Sequence, residues 1–383
     1  MSSETPHSVL PAGLPPPTWV DSQTSFEIMV ADLSGQLRVA VDTESNSLHA
    51  YREQVCLIQF STPNTDYILD PFVFDDLSAL GPLFSNPGIE KIFHAAEYDL
   101  ICLTRDFSFE FANLFDTMYA ARVLGYPFVG LDNMLSEKLR IKVDKRHQKA
   151  DWAARPLTPS QVDYARLDTH YLFRLRDILE KELEEKGRLQ LAREDFARAS
   201  KVEQPREKAN GASWRRFSAR KDLSIRELTI LSALCNFRDQ VAEHMDRPPF
   251  KVVDDDTLLE IARKVPEKDV DLSAIGLSAK QIRLWGDEIL IAVKKGVEAP
   301  LVVREQSKRP SDAILKRLEK LKIWRKTRAK EMGVESDVIL PKVYLNMLAE
   351  HPPKNMDDLK TILAASPWRF EHYGSQIFKI AGG

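Results

Sequence analysis

The sequence has few cysteines and no long apolar segment. Its three cysteines, Cys56, Cys102 and Cys235, lie far apart, and no Cys-x-x-Cys or Cys/His cluster occurs. This pattern argues against a zinc site and favours a reducing, cytoplasmic setting. No run of eighteen apolar residues is present, so no transmembrane helix is expected. The first twenty residues also lack the basic and apolar regions of a secretory signal.

Charge is distributed unevenly along a chain whose net charge is only −3. The first 200 residues are net acidic and the remainder is net basic; residues 301–330 contain eleven basic and three acidic side chains. One interpretation is an acidic half that holds cations, joined to a basic half that holds phosphates. The other is a set of solvated helix faces, and charge alone does not decide between them.

The first half of the chain alternates short apolar runs with helical patterns. Strands are predicted at 39–42, 55–60, 67–69 and 91–93, and the last leads into a helix over about 94–107. This alternation predicts a mixed sheet with helices packed on it. Thr158-Pro159 is a helix start signal, from which one long helix is predicted to about Lys186.

The second half is helical in period and internally repeated. At an offset of 87 residues, apolar positions of two copies align without a gap, for example Phe237-Arg238 with Trp324-Arg325. Two unrelated helical bundles with a generic pattern are the alternative. The polar segment 201–213 contains proline and glycine and predicts a linker. We therefore predict a disordered lead-in at 1–22, an α/β domain at 23–200, a linker at 201–220, and helical domains at 221–298 and 311–383.

Three acidic residues of the first half are candidate metal ligands. Asp42 and Glu44 end a buried strand, where residues two apart share a face. A divalent cation would relieve the repulsion between two such carboxylates, and oxygen ligands suit Mg²⁺ or Mn²⁺. Asp99 lies in a helix that follows the carboxyl end of a strand, where ligand sites form in open sheets. An acidic turn and a solvent-facing Asp are the ordinary alternatives, and His94 alone is more typical of a structural histidine.

A later helix contains Tyr164 and Asp168, four residues apart and therefore on one helix face. A phenol one turn before a metal-binding carboxylate can position a water molecule near the metal. An ordinary core aromatic is the alternative for Tyr164 taken singly.

In sequence order, DxE at a strand end, Asp at a helix start and Tyr-x-x-x-Asp in a later helix resemble the DEDD exonuclease superfamily. The tyrosine identifies its tyrosine subclass, since the histidine subclass would need His where Asp163 stands. Within the superfamily the chain resembles ribonuclease D, most closely over residues 144–172. Residues 226–262 resemble the HRDC domain, the helical module named for helicases and ribonuclease D. The second copy is a weaker match, with GVESD where the first has DRPPF.

The resemblance implies an α/β exonuclease domain, a ribonuclease H-like mixed sheet with flanking helices, followed by two all-α HRDC-like domains. It implies two divalent metal ions held by Asp42, Glu44, Asp99 and Asp168. It further implies hydrolysis of RNA from the 3′ end with release of nucleoside 5′-monophosphates, and tRNA precursors among the substrates. Tyr164 would orient the attacking water. A DNA 3′–5′ exonuclease and an inactive RNA-binding protein are the alternatives.

RNA contacts are predicted in the basic segment before the Tyr164 helix, where phosphate neutralisation and base stacking would hold a single strand. A solvated loop is the alternative. The predicted RNA-binding residues are Lys142, Lys145, Arg146, Lys149, Trp152 and, at the strand–helix junction, His94. The second helical domain is predicted to be a separable RNA holder, so that a chain ending near Glu298 would remain a folded nuclease.

Overall fold

The structure, a computed structural model, describes residues 14–202, 213–304 and 310–382. The chain divides into two units. The first contains the described residues of Met1–Ser45, Val55–Gln204 and Pro310–Gly383, and the second those of Asn46–Gln54 and Pro205–Arg309. Within the described ranges, no helix is both long enough and apolar enough to cross a membrane.

The first unit is built on a six-stranded mixed sheet with the strand order β1-β4-β3-β2-β5-β6. The strands are β1 Thr18–Val20, β2 Arg38–Ser45, β3 Val55–Ser61, β4 Asp66–Leu69, β5 Glu90–Phe93 and β6 Leu114–Asp116. Strands β2, β3 and β4 are antiparallel, while β1 runs parallel to β4, and β5 runs parallel to β2 and β6. Every residue of the central strand β3 is buried, which is typical of a strand covered on both faces. The predicted mixed sheet is confirmed.

Two strands of three residues each, β1 and β6, were not predicted. Strand β1 pairs in register with Tyr67–Leu69, and its Val20 is fully buried. The disordered lead-in predicted for residues 1–22 is therefore too long, because burial of Val20 ties this part of the chain to the sheet. Residues 1–13 of that lead-in lie outside the described residues.

Eight α-helices accompany the sheet in residues 14–202. They are α1 Gln23–Ser34, α2 Gly81–Ser85, α3 Glu97–Phe107, α4 Thr117–Leu124, α5 Leu131–Leu139, α6 Pro159–His170, α7 Leu172–Glu185 and α8 Leu189–Ala199. Thr158 caps α6 in a capping box with Gln161, and Pro159 is its first residue, as predicted. The predicted single helix is instead two, because the helical pattern is interrupted at Tyr171.

The junction between β5 and α3 also differs from its prediction. Ala95 has a φ of 64°, in the left-handed region that a continuing right-handed helix cannot contain. Helix α3 therefore begins at Glu97 rather than His94, and Asp99 lies in its first turn.

The helical half contains two copies of one five-helix arrangement. The first copy has α9 Ile225–His244, α10 Pro249–Val252, α11 Asp255–Lys264, α12 Asp269–Ile275 and α13 Ala279–Glu298. The second has α14 Asp312–Met332, α15 Ser336–Ile339, α16 Lys342–Glu350, α17 Met356–Ile362 and α18 Pro367–Ala381. The starts of α9 to α12 and of α14 to α17 are offset by 87 residues, which confirms the predicted repeat. Arg238 donates to the Val253 carbonyl at 3.0 Å, and its counterpart Arg325 donates to the Leu340 carbonyl at 2.9 Å.

The linker predicted for residues 201–220 ends earlier than expected on its C-terminal side. Residues 203–212 lie outside the described residues, but Ser213–Phe217 forms a 3₁₀-helix. Phe217 is 5% exposed and belongs to the core of the second unit, so these residues are part of a packed domain.

The second helical copy is fixed to the α/β part of the first unit. Arg369 of α18 is fully buried and donates to the carboxylates of Glu194, at 2.7 Å, and Asp195, at 2.8 Å, on α8. Val338 belongs to the same core as the sheet. At the end of α4, a Cβ atom at Gly125 would collide with the carbonyl oxygen of Gly333, so the two backbones touch there.

These contacts argue against the separable RNA holder predicted above. A chain ending near Glu298 would leave Glu194 without Arg369 and Asp195 with Arg198 alone, and it would uncover the core that Val338 closes. In the first copy the position of Arg369 is occupied by Ile282, so the first copy has no counterpart of this arginine.

Arg369→Met should lower the free energy of unfolding by about 3–5 kcal/mol, because it leaves the buried Glu194 without its arginine and leaves Asp195 with Arg198 alone. Urea denaturation followed by circular dichroism measures the change. The matched control is Arg38→Met, which removes an arginine from an exposed pair with Asp177 and should cost at most about 1 kcal/mol. Equal losses in the two variants would mean that the buried triad does not stabilise the docking.

Candidate active site

The predicted metal ligands come from three elements of the first unit. Asp42 and Glu44 lie on β2, Asp99 lies on α3, and Asp168 lies on α6, one turn after Tyr164. Helix α6 packs across β2, β3 and β4, and this packing brings its side chains over the strand that contains the first two carboxylates.

The four carboxylates are near enough to perturb one another electrostatically. Burial raises the pKa of Asp42 well above its ordinary value, and the charges of Asp99, Asp168 and Glu44 raise it further. Burial followed by the charges of Asp168 and Asp99 does the same to the pKa of Glu44. The pKa of Asp168 is raised by burial and then by Asp99. Such a cluster is costly when fully ionised, and a bound cation would offset that cost.

Asp99 is the most enclosed of the four, at 8% exposure. Burial raises its pKa, and a hydrogen bond from the Thr43 hydroxyl acts in the opposite direction. Thr43 lies between Asp42 and Glu44 on β2, so the same strand supplies two carboxylates and the donor that orients the third. Nothing in the sequence pattern pointed to this role of Thr43.

Asp116, at the end of β6, shapes the entry to α3 and was also missed. It is fully buried and accepts hydrogen bonds from the backbone N–H groups of Ala95, at 3.1 Å, and Ala96, at 2.8 Å. It also accepts from Met118 and so caps α4. An Asp before a helical run is an N-cap signal, so its capping of α4 could be predicted. Its hydrogen bonds to the turn twenty residues earlier are visible only in the fold.

A buried polar network holds α6 on the sheet. Arg166 is 2% exposed and donates to Asp66 of β4 at 2.6 Å, and the His170 ring lies 2.9 Å from the same carboxylate. The hydroxyls of Ser61 and Thr169 are 2.7 Å apart. Burial alone would raise the pKa of Asp66, but hydrogen bonds from His170, Ser61 and Arg166 leave it below its ordinary value. The network therefore keeps an ionised anchor under the helix that contains Tyr164 and Asp168.

Tyr164 faces the acidic cluster. Burial raises the pKa of its phenol above the ordinary value, and Asp168, Glu44 and Asp42 raise it further. The hydroxyl therefore stays protonated at neutral pH, which suits a hydrogen-bond donor and excludes a general base. Its ring packs against Trp152, with ring centroids 5.9 Å apart.

Trp152 was predicted to stack on bases, and this prediction is wrong. The side chain is only 1% exposed and packs in a cluster with Cys56, Leu57, Ile68 and Ala165. It presents no face to a nucleic acid. Its aromatic contact is instead with the ring of Tyr164.

His94 and the basic segment differ in their surroundings. The His94 ring contacts the Thr117 hydroxyl at 2.8 Å, and burial lowers its pKa to about 4, so a neutral imidazole cannot attract phosphate by charge at neutral pH.

Lys142, Lys145, Arg146 and Lys149 are exposed. Lys145 pairs with Asp132 at 2.7 Å, and Arg146 pairs with Asp144 at 2.5 Å. Their RNA contacts stay a prediction.

The chemistry of the acidic cluster fits a hard divalent cation, since all its charged donors are carboxylate oxygens. The side chains are not closed around a common point. Among residues 14–202, 213–304 and 310–382, no group of three or more His, Cys, Asp or Glu side chains could hold a metal ion as placed. The assignment of these four residues as ligands therefore stays a prediction.

Comparison with known families agrees with this fold. Residues 17–184 match the 3′-5′ exonuclease family, and residues 227–293 and 314–380 each match the HRDC domain. Sheet, acidic cluster and helical copies together define a 3′-5′ exonuclease domain followed by two HRDC domains. The predicted fold class is confirmed.

Individual similar proteins indicate which family of 3′-5′ exonucleases the chain belongs to. Ribonuclease D of Gluconacetobacter diazotrophicus is 33% identical over 265 residues, which are 69% of this chain and 67% of that protein. The crystal structure of Escherichia coli RNase D, described as an exoribonuclease involved in structured RNA processing, superposes with a TM-score of 0.68 at 25% identity, covering 95% of this chain and 98% of that one. The chain belongs to the ribonuclease D family.

The similarity extends to larger eukaryotic proteins. Exosome complex exonuclease RRP6 of Saccharomyces cerevisiae is 32% identical over 267 residues, which are 65% of this chain. The matched region is 36% of that protein, so the chain spans about a third of its length.

Proposed function

We propose that this protein is a metal-dependent 3′–5′ exoribonuclease that removes nucleoside 5′-monophosphates from the 3′ ends of RNA. The observation that carries the proposal is the acidic cluster of Asp42, Glu44, Asp99 and Asp168 beside a protonated Tyr164. Membership of the ribonuclease D family supports the same reaction.

Each residue of the site has a distinct task in this reaction. The four carboxylates would hold two divalent ions, Mg²⁺ or Mn²⁺, which when bound supply positive charge for the phosphate and lower the pKa of water. Tyr164 donates a hydrogen bond that orients the attacking water toward the last phosphodiester. Thr43 holds the Asp99 carboxylate, and the Asp66 network holds α6 at a fixed position on the sheet.

The proposed substrate is the single-stranded 3′ end of a structured RNA, with tRNA precursors as the particular class. Lys142, Lys145, Arg146 and Lys149 precede α6 and would neutralise phosphates near the site. Helix α14 adds a second basic surface within residues 301–330, a segment with eleven basic and three acidic side chains, part of which lies outside the described residues. A cytoplasmic location is proposed with this role.

The test is digestion of matched RNA and DNA strands of one sequence, labelled at the 5′ end, with Mn²⁺ or with EDTA. We expect the RNA to shorten one nucleotide at a time from its 3′ end with Mn²⁺ and to remain intact with EDTA. Shortening of the DNA alone would replace the proposal with a DNA exonuclease. Retention of RNA on a filter without shortening would replace it with an inactive RNA-binding protein.

A further inference from the structure

A buried glutamine on the central strand has no hydrogen-bond partner. Gln59 of β3 is fully buried, and neither its Oε1 nor its Nε2 atom makes a hydrogen bond. Buried side-chain amides in native proteins are nearly always paired, because an unpaired one loses its hydrogen bonds to water without replacement. The Gln59 amide therefore has donor and acceptor atoms available for a neighbouring group that changes orientation when a ligand binds.

Gln59 lies directly beside the acidic cluster. In the antiparallel pairing of β2 with β3, Gln59 is the residue opposite Asp42. Side chains of directly opposed residues project to the same face of a sheet, with Cβ atoms ~4.5–5.5 Å apart. The residue opposite Glu44 is Leu57, which has no polar side-chain atom. Of these two neighbours across the strand pair, only Gln59 can donate a hydrogen bond to a carboxylate.

Helix α6 covers this face of the sheet. Two residues before Gln59, Leu57 packs in one cluster with Ala165, and two residues after it, Ser61 contacts Thr169 at 2.7 Å. Gln59 therefore lies beneath the part of α6 that contains Asp168. Its amide is enclosed between the sheet and α6. Strand β2 and helix α6 together contain three of the proposed metal ligands.

We propose that Gln59 is a positioning residue for metal binding: when the ion is bound, its Nε2 group donates to the Asp42 carboxylate and fixes that carboxylate in the orientation that binds the ion. This inference rests on the proposed function. An ionised carboxylate only accepts hydrogen bonds, and the lone pairs that a metal leaves free need donors. Such outer partners of metal ligands commonly change metal affinity or activity by about 10–100-fold when they are removed.

The test measures metal binding without RNA and without turnover. Gln59→Met keeps the length of the side chain and removes its amide, and Gln59→Leu is a second apolar variant in case methionine packs poorly. Calorimetric titration of the full chain with Mn²⁺ should show affinity about 10–100-fold weaker than wild type in both variants. The rise in melting temperature on adding Mn²⁺ should shrink accordingly. The melting temperature in EDTA should not fall, because no hydrogen bond of the protein is lost.

The matched control is Ile58→Val on the same strand. Ile58 is equally buried, but it is opposite Thr43 and projects to the other face. Its melting temperature in EDTA should fall slightly while its Mn²⁺ affinity stays at the wild-type value. Wild-type Mn²⁺ affinity in both Gln59 variants would overturn the inference and leave Gln59 as packing. Absence of Mn²⁺ binding by the wild-type protein would instead overturn the proposed function, and this inference with it.

Discussion

Asp168→Asn should abolish the shortening of RNA and leave the protein folded. Asparagine preserves the shape of the side chain but removes the negative charge that a divalent cation requires from its ligand. Asp168 also shares its electrostatic environment with Asp99 and Asp42, so its charge contributes to one cluster rather than to a separate site. Asp42→Asn and Asp99→Asn should have the same effect for the same reason.

Measurements of the melting temperature and of RNA binding distinguish the loss of a metal ligand from misfolding of the variant. Without metal, the melting temperature of Asp168→Asn should equal or exceed that of the wild type, because one member of a repelling group has lost its charge. The stabilisation by Mn²⁺ should be smaller. RNA binding measured in EDTA should be unchanged, since the basic surfaces are intact.

The matched control for this variant is Asp163→Asn, on the same helix and one residue before Tyr164. Its single-turnover rate on a 5′-labelled RNA should be close to that of the wild type. Substantial cleavage by Asp168→Asn under the same conditions would remove that residue from the set of metal ligands.

How much of this site could be predicted depends on the sequence distance of each contact. Asp42 and Glu44 are two residues apart on one strand, so their common face follows from strand geometry alone. Tyr164 and Asp168 follow in the same way from helix geometry. The Gln59–Asp42 pairing and the Asp66–Arg166 ion pair cannot be predicted in this way, because they depend on strand register and on the path of the chain between them.

Trp152 shows why a local pattern failed. An aromatic residue beside several lysines has the same sequence signature whether its ring faces solvent or the core. The fold decides, because α6 needs an apolar surface beneath Tyr164, and Trp152 supplies it at 1% exposure. Composition near a site therefore predicts charge more reliably than it predicts which way a ring faces.

The helical repeat also has one feature that could be predicted from the sequence and one that could not. Its offset of 87 residues could be predicted from apolar positions because each copy folds around its own core. The docking of the second copy could not. It depends on Arg369 meeting Glu194, residues separated by 175 positions, and on a buried charge pair that no apolar pattern reveals.

Tyr164→Phe should reduce the cleavage rate by about 10²–10⁴-fold, the usual contribution of a positioned proton-handling group. The substitution keeps the ring that packs on Trp152 and removes only the hydroxyl. Because burial and the neighbouring carboxylates raise the phenol pKa above its ordinary value, the hydroxyl is a donor throughout the neutral range. Loss of the donor should leave the attacking water less well oriented while metal affinity stays unchanged.

The pH dependence of the cleavage rate distinguishes a phenol that orients water from one that acts as a base, and a substitution at a second tyrosine provides the control. A phenol acting as base would make the wild-type rate climb toward high pH relative to the variant. If the phenol orients the water instead, its loss lowers the rate by the same factor at every pH from 6 to about 9, below the ordinary phenol pKa of about 10. Tyr171→Phe is the matched control, since the buried Tyr171 hydroxyl has no hydrogen-bond partner and should not affect turnover. Wild-type turnover by Tyr164→Phe would show that Tyr164 contributes packing alone.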